Sequence, residues 1–414
     1  MLIHNISTKE LSTRFDNPEL ILLDIRPSAA YNGWKLQDEA RGGHIRGAVS
    51  FPFSWIKDSS SQELESLFAS KGIASKKAVV LYGYKGDSCS TMANLFGDLG
   101  IRKIFAYEAG LQEWAANPGL PMDRLANYWK LVHPGWVENL ISGKEPKNSL
   151  NKKHKLFEVS FREFDKYQAG HIPGAYHFDL DSIESAPTWN ICPDEELLNF
   201  LLAQGITHKS LVVLYGRSQM AVARAASALM YAGVEDVRIL DGGFNAWLSA
   251  GYAVETEVQE PVPVVDFGRK IPGHPEYIFD ISTVKALLAD AQGVIVNVRS
   301  WNEYTGETSG YDYIKAKGHI PGDVWGHSGS GPHQMEDYRN PDNTMRAYHE
   351  IESYWQEVGI TPDKRVAFYC GTGWRASEAF FYAYLMGRQN IAVYDGGWLE
   401  WSRDEANPIS VGTW

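Results

Sequence analysis

Cysteine is scarce in this chain: Cys89, Cys192 and Cys370 are the three in 414 residues. An odd, sparse set supplies neither a disulfide framework nor a CxxC pair for a metal, and it fits a reducing compartment. Long apolar runs are also missing, and none reaches the length of a membrane helix. The N-terminus, Met1-Leu2-Ile3-His4-Asn5-Ile6, carries no hydrophobic export core. These absences lead us to expect a protein with no membrane partner, cytoplasmic as encoded, or periplasmic if an export signal has been removed ahead of Met1. Positive charge is in deficit: the formal net charge is −12, which argues against nucleic acid or an anionic membrane surface as the main partner. An anionic ligand must then be held by a local cluster of donors rather than by the overall field. No strand is followed by GxGxxG, so a dinucleotide site has no support. No metal and no cofactor are expected.

What is present is a repeat. A chain of 414 residues is too long for one ordinary core, and two or three domains are the natural expectation. Three copies of one block run along it. Each opens with an apolar strand ending near an acid or amide, as in Ile21-Leu22-Leu23-Asp24-Ile25-Arg26, Leu156-Phe157-Glu158-Val159 and Val294-Ile295-Val296-Asn297-Val298-Arg299. A Gly-His-Ile element follows at Gly43, Gly170 and Gly318. Next comes a central strand: Val79-Val80-Leu81-Tyr82-Gly83, Val212-Val213-Leu214-Tyr215-Gly216 and Val366-Ala367-Phe368-Tyr369-Cys370. A helix-like stretch ends near Gly100, Gly233 and Gly387, which suit helix C-termini. The third copy closes on Asp395-Gly396-Gly397-Trp398. Continuous Val/Leu/Ile strands alternating with helices predict a parallel α/β sheet buried on both faces. Pro118–Pro121 and the run Val258-Gln259-Glu260-Pro261-Val262-Pro263 mark the boundaries, giving units 1–124, 125–260 and 261–414. The basic stretch Lys147 to Lys155 reads as a solvated loop inside the second unit.

One copy alone has a cysteine at the end of its central strand. Cys370 leads into Gly371-Thr372-Gly373-Trp374-Arg375 and then a helix. Loop amides and the positive end of a helix dipole around a thiol favour its thiolate and make it a nucleophile. Gly371 and Gly373 let the backbone curl so that its N–H groups turn inward. Thr372 offers a hydroxyl, and Arg375 offers positive charge beside the sulfur. Gly83 and Gly216 leave the other two copies without thiol chemistry at this position.

Together these elements resemble the rhodanese (sulfurtransferase) family, and within it the three-domain thiosulfate sulfurtransferases. The likeness covers nearly the whole chain, and the loop Cys370 to Ser377 is its most specific part. It implies an α/β fold of three tandem rhodanese-like domains, each a central, mainly parallel sheet flanked by helices. The first two would be inactive and the third catalytic. It also implies a cysteine that accepts a sulfane sulfur, holds it as a persulfide and passes it on. The partners would be a small anionic sulfur donor and a thiol or cyanide acceptor, with a protein thiol as one option. The matching arginine of the family contacts substrate, which makes Arg299 the candidate to meet the sulfonate of thiosulfate. Trp374 and Trp301 could wall the pocket or could be core.

The loop from Cys370 to Arg375 is shorter than the C-x5-R loop of phosphatases with a similar shape, so it suits one extra sulfur better than a tetrahedral oxyanion. Thiosulfate is the expected donor. The Cys-Gly-Thr-Gly opening also resembles 3-mercaptopyruvate sulfurtransferases, and that donor stays as the alternative. A non-enzymatic persulfide carrier or docking protein is the alternative of another class. The recurrence of His44, His171 and His319 in all three copies, two of them without a nucleophile, favours a structural hydrogen bond. Cys89 and Cys192 read as inert.

Overall fold

The structure is a computed structural model that describes residues 3–57, 60–73, 77–86, 89–98, 100–144 and 154–412. The chain divides into two compact units, Met1–Tyr128 and Trp129–Trp414. The first unit holds one repeat and the second holds two, so the expected boundary after residue 260 falls inside a single compact body. Most of the basic stretch, Lys147 to Lys153, lies outside the described residues.

Each repeat builds one five-stranded sheet. The first contains β1 (His4–Asn5), β2 (Leu20–Asp24), β3 (Val49–Ser50), β4 (Ala78–Tyr82) and β5 (Ile104–Ala106). The second contains β6 (Leu131–Val132), β7 (His154–Ser160), β8 (Tyr176–Asp179), β9 (Leu211–Gly216) and β10 (Asp236–Leu240). The third contains β11 (Ile278–Phe279), β12 (Gly293–Asn297), β13 (Val324–Trp325), β14 (Arg365–Tyr369) and β15 (Ile391–Tyr394). All three share one spatial order. The first and last strands of a repeat pair at one side, the central strand lies in the middle, and the second and third strands complete the other side. Every pairing in these sheets is parallel. Val79, Val80, Leu81 and Tyr82 are all fully buried although they alternate in direction, so both faces of the central strand are covered.

A helix follows each central strand: α1 (Cys89–Asp98), α2 (Gln219–Ala232) and α3 (Trp374–Leu385). Ser218 caps α2 by accepting from the Ala221 N–H, and Gly233 closes it in the left-handed conformation at φ 100°. No helix among the described residues is long and apolar enough to cross a membrane.

Within the second unit the two repeats clasp each other. Helices α2 and α3 pack together, with Ser227 Oγ 3.0 Å from Ser377 Oγ. The aspartate after each last strand reaches across to the other repeat. Asp241 Oδ1 accepts from the Met345 N–H at 2.8 Å, and Asp395 Oδ2 accepts from the Ile191 N–H at 2.8 Å. These aspartates therefore tie repeat to repeat, beyond the tight turn their glycines make.

Asp241 has a pH consequence. Burial pushes its carboxyl up to about 7, whereas an unfolded aspartate titrates near about 3.9. Between those values the folded state binds more protons, so stability falls as pH rises and the loss is complete above about pH 7. Asp241→Asn keeps an acceptor for Met345 and removes the ionisation. It should flatten the fall in melting temperature between about pH 5 and pH 8, recovering roughly 2–4 °C at the alkaline end per kcal/mol regained. Calorimetry giving equal slopes for both proteins would show that burial does not strain this carboxyl.

Candidate active site

Register sets the position of the site. Asn297 pairs with Tyr369, as Asp24 pairs with Tyr82 and Glu158 with Tyr215. Each tyrosine hydroxyl accepts the backbone N–H of the isoleucine in the Gly-His-Ile element: Ile45 to Tyr82 at 3.2 Å, Ile172 to Tyr215 at 2.9 Å and Ile320 to Tyr369 at 3.2 Å. The residue after the tyrosine is thus held at a rigid strand end in all three repeats. In the third it is Cys370.

The chain past Cys370 is held from below. The Cys370 carbonyl accepts from the Trp398 N–H at 2.8 Å and the Gly371 carbonyl from the Leu399 N–H at 3.0 Å. That contact needs a bare backbone at Gly397, which has φ 53° and whose added Cβ would lie 2.7 Å from the Cys370 oxygen. Gly373 caps α3 at φ 96°, with Trp374 as the first helical residue. The amides of Gly371, Thr372, Gly373, Trp374 and Arg375 donate to no acceptor among the described residues. Five donors at the start of a helix, next to a buried thiol, form a cradle for an anion on that sulfur.

Tyrosines close the loop on one side. Gly371 lies so near the Tyr311 ring that an added Cβ would be 2.5 Å from it. Tyr311 donates to the Pro332 carbonyl at 2.6 Å and stacks on Tyr313 with centroids 5.2 Å apart. Both phenols lie close enough to Cys370 to feel its charge. Burial pushes the Tyr311 hydroxyl up, so it keeps its proton at neutral pH.

The loop arginine has a partner that the sequence did not disclose. Arg375 is fully buried and forks onto Glu303, with Nη1 and Nη2 each 2.9 Å from a carboxylate oxygen. Burial raises the Glu303 carboxyl, but the Arg375 fork outweighs it and holds Glu303 below the usual carboxylate range. Arg375 therefore stands beside the sulfur as half of a neutralised pair rather than as a free cation. Ser300-Trp301-Asn302-Glu303 reads as a capping box in the sequence, and the box is formed. A capping box alone does not announce a buried ion pair.

Arg299 departs from expectation. It is fully buried and donates to Asn297 Oδ1 at 3.2 Å and to the Gly318 carbonyl at 2.5 Å, below the Trp398 ring at 4.8 Å. The same tie occurs in the repeats without a thiol. Arg26 donates to the Gly43 carbonyl at 2.7 Å beside Tyr84. Arg217 donates to the Gly170 carbonyl at 2.7 Å beside Phe244. A contact made in all three repeats is a structural tie; it takes Nε and Nη2 of Arg299, whose Nη1 is buried without a hydrogen-bond partner. Arg299 differs in one respect, since its strand partner is Asn297 where Arg26 has Asp24.

Trp374 is half-buried, packs edge-on against Phe161 at 5.5 Å and donates from Nε1 to Glu184 Oε1 at 2.9 Å. Trp301 is 44% exposed and rests on Tyr304 and Trp325, so it is not core. His44, His171 and His319 each place Nδ1 2.8 Å from a tyrosine backbone carbonyl, a structural use. Cys192 is buried, and burial together with Glu196 pushes its thiol up to about 11, which makes it a poor nucleophile. No group of three or more metal-ligating side chains occurs among the described residues.

The geometry makes two tests. Arg299→Ala should lower stability by about 1–3 kcal/mol through the two stranded acceptors, as Arg26→Ala should in the first repeat. A fully stable Arg299→Ala protein with weakened use of an anionic donor would restore the substrate role. At Gly216 an added Cβ would lie 2.5 Å from the Val159 carbonyl oxygen, so Gly216→Cys should lower the melting temperature and gain no reactive thiol. Peptide mapping after alkylation would refute this by finding a fast-reacting cysteine there in a stable protein.

A family model for the rhodanese-like domain matches residues 7–117, 137–250 and 280–404. The thiosulfate sulfurtransferase YnjE of Escherichia coli is 40% identical over 391 residues, 94% of this chain and 88% of that protein. The sulfur carrier protein TtuD of Thermus thermophilus is 32% identical over 298 residues, 68% of this chain and 96% of that protein. The solved structure of wild-type EanB matches with a TM-score of 0.97 at 42% identity, covering 100% of this chain and 98% of that one. EanB with a cysteine persulfide and ergothioneine matches with a TM-score of 0.96 at 42% identity, covering 99% and 100%. With three matched domains and relatives along almost its whole length, the chain belongs to the rhodanese family of sulfurtransferases.

Proposed function

We propose that the protein transfers sulfane sulfur through a persulfide on Cys370, with thiosulfate as donor, the repeat 261–414 as the catalytic domain and the repeats 1–124 and 125–260 as inactive copies. The observation that carries this reading is the one strand-end cysteine among three equivalent positions, set against five unengaged loop amides. In the first half-reaction the Cys370 thiolate attacks the outer sulfur of thiosulfate. The donor S–S bond breaks with its electron pair on the sulfonate side, and sulfite leaves. In the second, an acceptor thiolate or cyanide attacks the terminal sulfur, and the electron pair of the S–S bond returns to Cys370. The loop amides and the Thr372 hydroxyl are the donors left for the anions in both steps, since Tyr311 donates to the Pro332 carbonyl and Arg375 and Arg299 carry hydrogen bonds elsewhere.

A second reading concerns the acceptor. EanB structures contain hercynine or ergothioneine and include variants at a tyrosine before the persulfide cysteine and a threonine after it. Tyr311 and Thr372 stand at the same spacings from Cys370. This supports an imidazole carbon as acceptor: it would take the terminal sulfur, lose its ring proton and release the Cys370 thiolate.

Intact mass after incubation with thiosulfate or 3-mercaptopyruvate should show one adduct of about 32 Da, one sulfur atom, that cyanide removes and Cys370→Ser abolishes. No adduct from either donor would defeat the reading, and an adduct that survives Cys370→Ser would move the site. Loading without turnover to cyanide, thiol or hercynine would make the protein a carrier. The acceptor that discharges the adduct fastest decides between the two acceptor readings.

A further inference from the structure

The second repeat has no thiol at its strand end, yet it reaches the catalytic loop with charged groups. Arg224, on α2, is fully buried. Its Nε donates to Glu184 Oε1 at 2.8 Å, its Nη1 lies 2.6 Å from Asp395 Oδ1, and its Nη2 donates to the Trp189 carbonyl at 3.0 Å. Glu184 belongs to the antiparallel hairpin Glu184–Ser185 and Asn190–Ile191, an insertion of the second repeat. Both loop residues nearest α3 rest on this pair. The Trp374 indole donates to Glu184 at 2.9 Å. A Cβ on Gly373 would lie 2.9 Å from Arg224 Nη1. Asp395, the third member, belongs to the turn that supports the Cys370 and Gly371 carbonyls through Trp398 and Leu399.

We infer that Glu184 and Arg224 are positioning residues for the sulfur-transfer reaction: the inactive second repeat holds the catalytic loop of the third in its anion-binding shape. The inference rests on the reading of Cys370 as the sulfur-carrying thiol. A buried charge must be paired to be tolerated, and here the pairing runs through the loop itself. Glu184 has two donors, one on its own repeat and one on Trp374. Arg224 has two acids, Glu184 on its own repeat and Asp395 under the loop. Moving the loop away would cost Glu184 one of its two donors, and moving the turn beneath it would cost Arg224 one of its two acids. The amides of Gly371 to Arg375 are therefore presented in a fixed arrangement without hydrogen bonds of their own, as preorganised stabilisation of an anion requires.

A merely adhesive role for the pair is separable, because the same interface has a contact in the first turn of α3 that touches none of the residues Gly371 to Arg375. Ser227 and Ser377 meet 3.0 Å apart between α2 and α3. Ser227→Ala serves as the interface control. The experiment measures persulfide loading of Cys370 by thiosulfate, by rate and intact mass, in the full chain. The variants are Glu184→Gln, Trp374→Phe, the double variant and Ser227→Ala. Both single loop-strut variants should lose roughly tenfold or more in kcat for loading, the scale on which small misplacements act, with KM within about twofold. The double variant should be no slower than the slower single one, because both changes remove the same strut. Ser227→Ala should load at the wild-type rate. Multiplicative losses in the double variant would overturn the route through Trp374, and wild-type loading by Trp374→Phe would overturn the inference as a whole. Trp374→Phe removes the indole N–H and the pyrrole part of a half-buried ring but keeps an aromatic face towards Phe161, so this arm stands even if Glu184→Gln does not fold. A wild-type protein that never gains about 32 Da would instead defeat the persulfide reading, a result distinct from either.

Discussion

Tyr369 pairs with Asn297 across two neighbouring parallel strands, and that register decides where every part of the site lies. The tyrosine hydroxyl accepts the Ile320 N–H and donates to the buried Asp323 carboxylate, so the Gly-His-Ile segment hangs from the central strand. The Arg299 tie to Gly318 then fixes the same segment to the first strand. With strand, segment and tie locked, the residue after Tyr369 has one place to go. A slip of one residue would turn the thiol to the other face of the sheet. The position of Cys370 is therefore set by backbone pairing first and by side-chain chemistry second.

The electrostatic arrangement around that position is balanced. Two guanidinium groups lie near the loop, each opposed by buried carboxylates: Arg375 by Glu303, and Arg224 by Glu184 and Asp395. Neither pair offers a bare cation to a ligand. Dipoles of the loop amides and the first turn of α3 are left to receive negative charge. Dipoles held by flanking ion pairs do not need to reorganise when charge moves between donor, cysteine and acceptor. A chain with a net charge of −12 can bind an anion in this way because the site is defined over a few ångströms, well inside the range at which solvent screens the rest of the surface.

Much of this was legible in the residues alone. Three strand–helix blocks, the strand-end cysteine and the glycines that curl its loop depend on local pattern, and local pattern survives in a sequence. The repeat also made the histidines readable, because a group present where no nucleophile exists cannot be there for the nucleophile. The pairs Arg375–Glu303 and Arg224–Glu184 were not legible, since their members are far apart in the chain and meet only once each repeat has folded. The tie made by Arg299 was harder to read. The equivalent tie in the second repeat comes from Arg217, just past the central strand, rather than from the end of the first strand, so aligning the blocks conceals that all three make the same tie. Only the shared glycine carbonyl reveals it.

Gly216 makes the difference between the repeats hard to reverse. The Val159 carbonyl and the Val222 side chain have closed over the space that a β-carbon at this position would occupy. A strand end closed this tightly leaves no room for a thiol by a single substitution. What the second repeat can contribute lies instead in its helix α2, its hairpin and its buried charges.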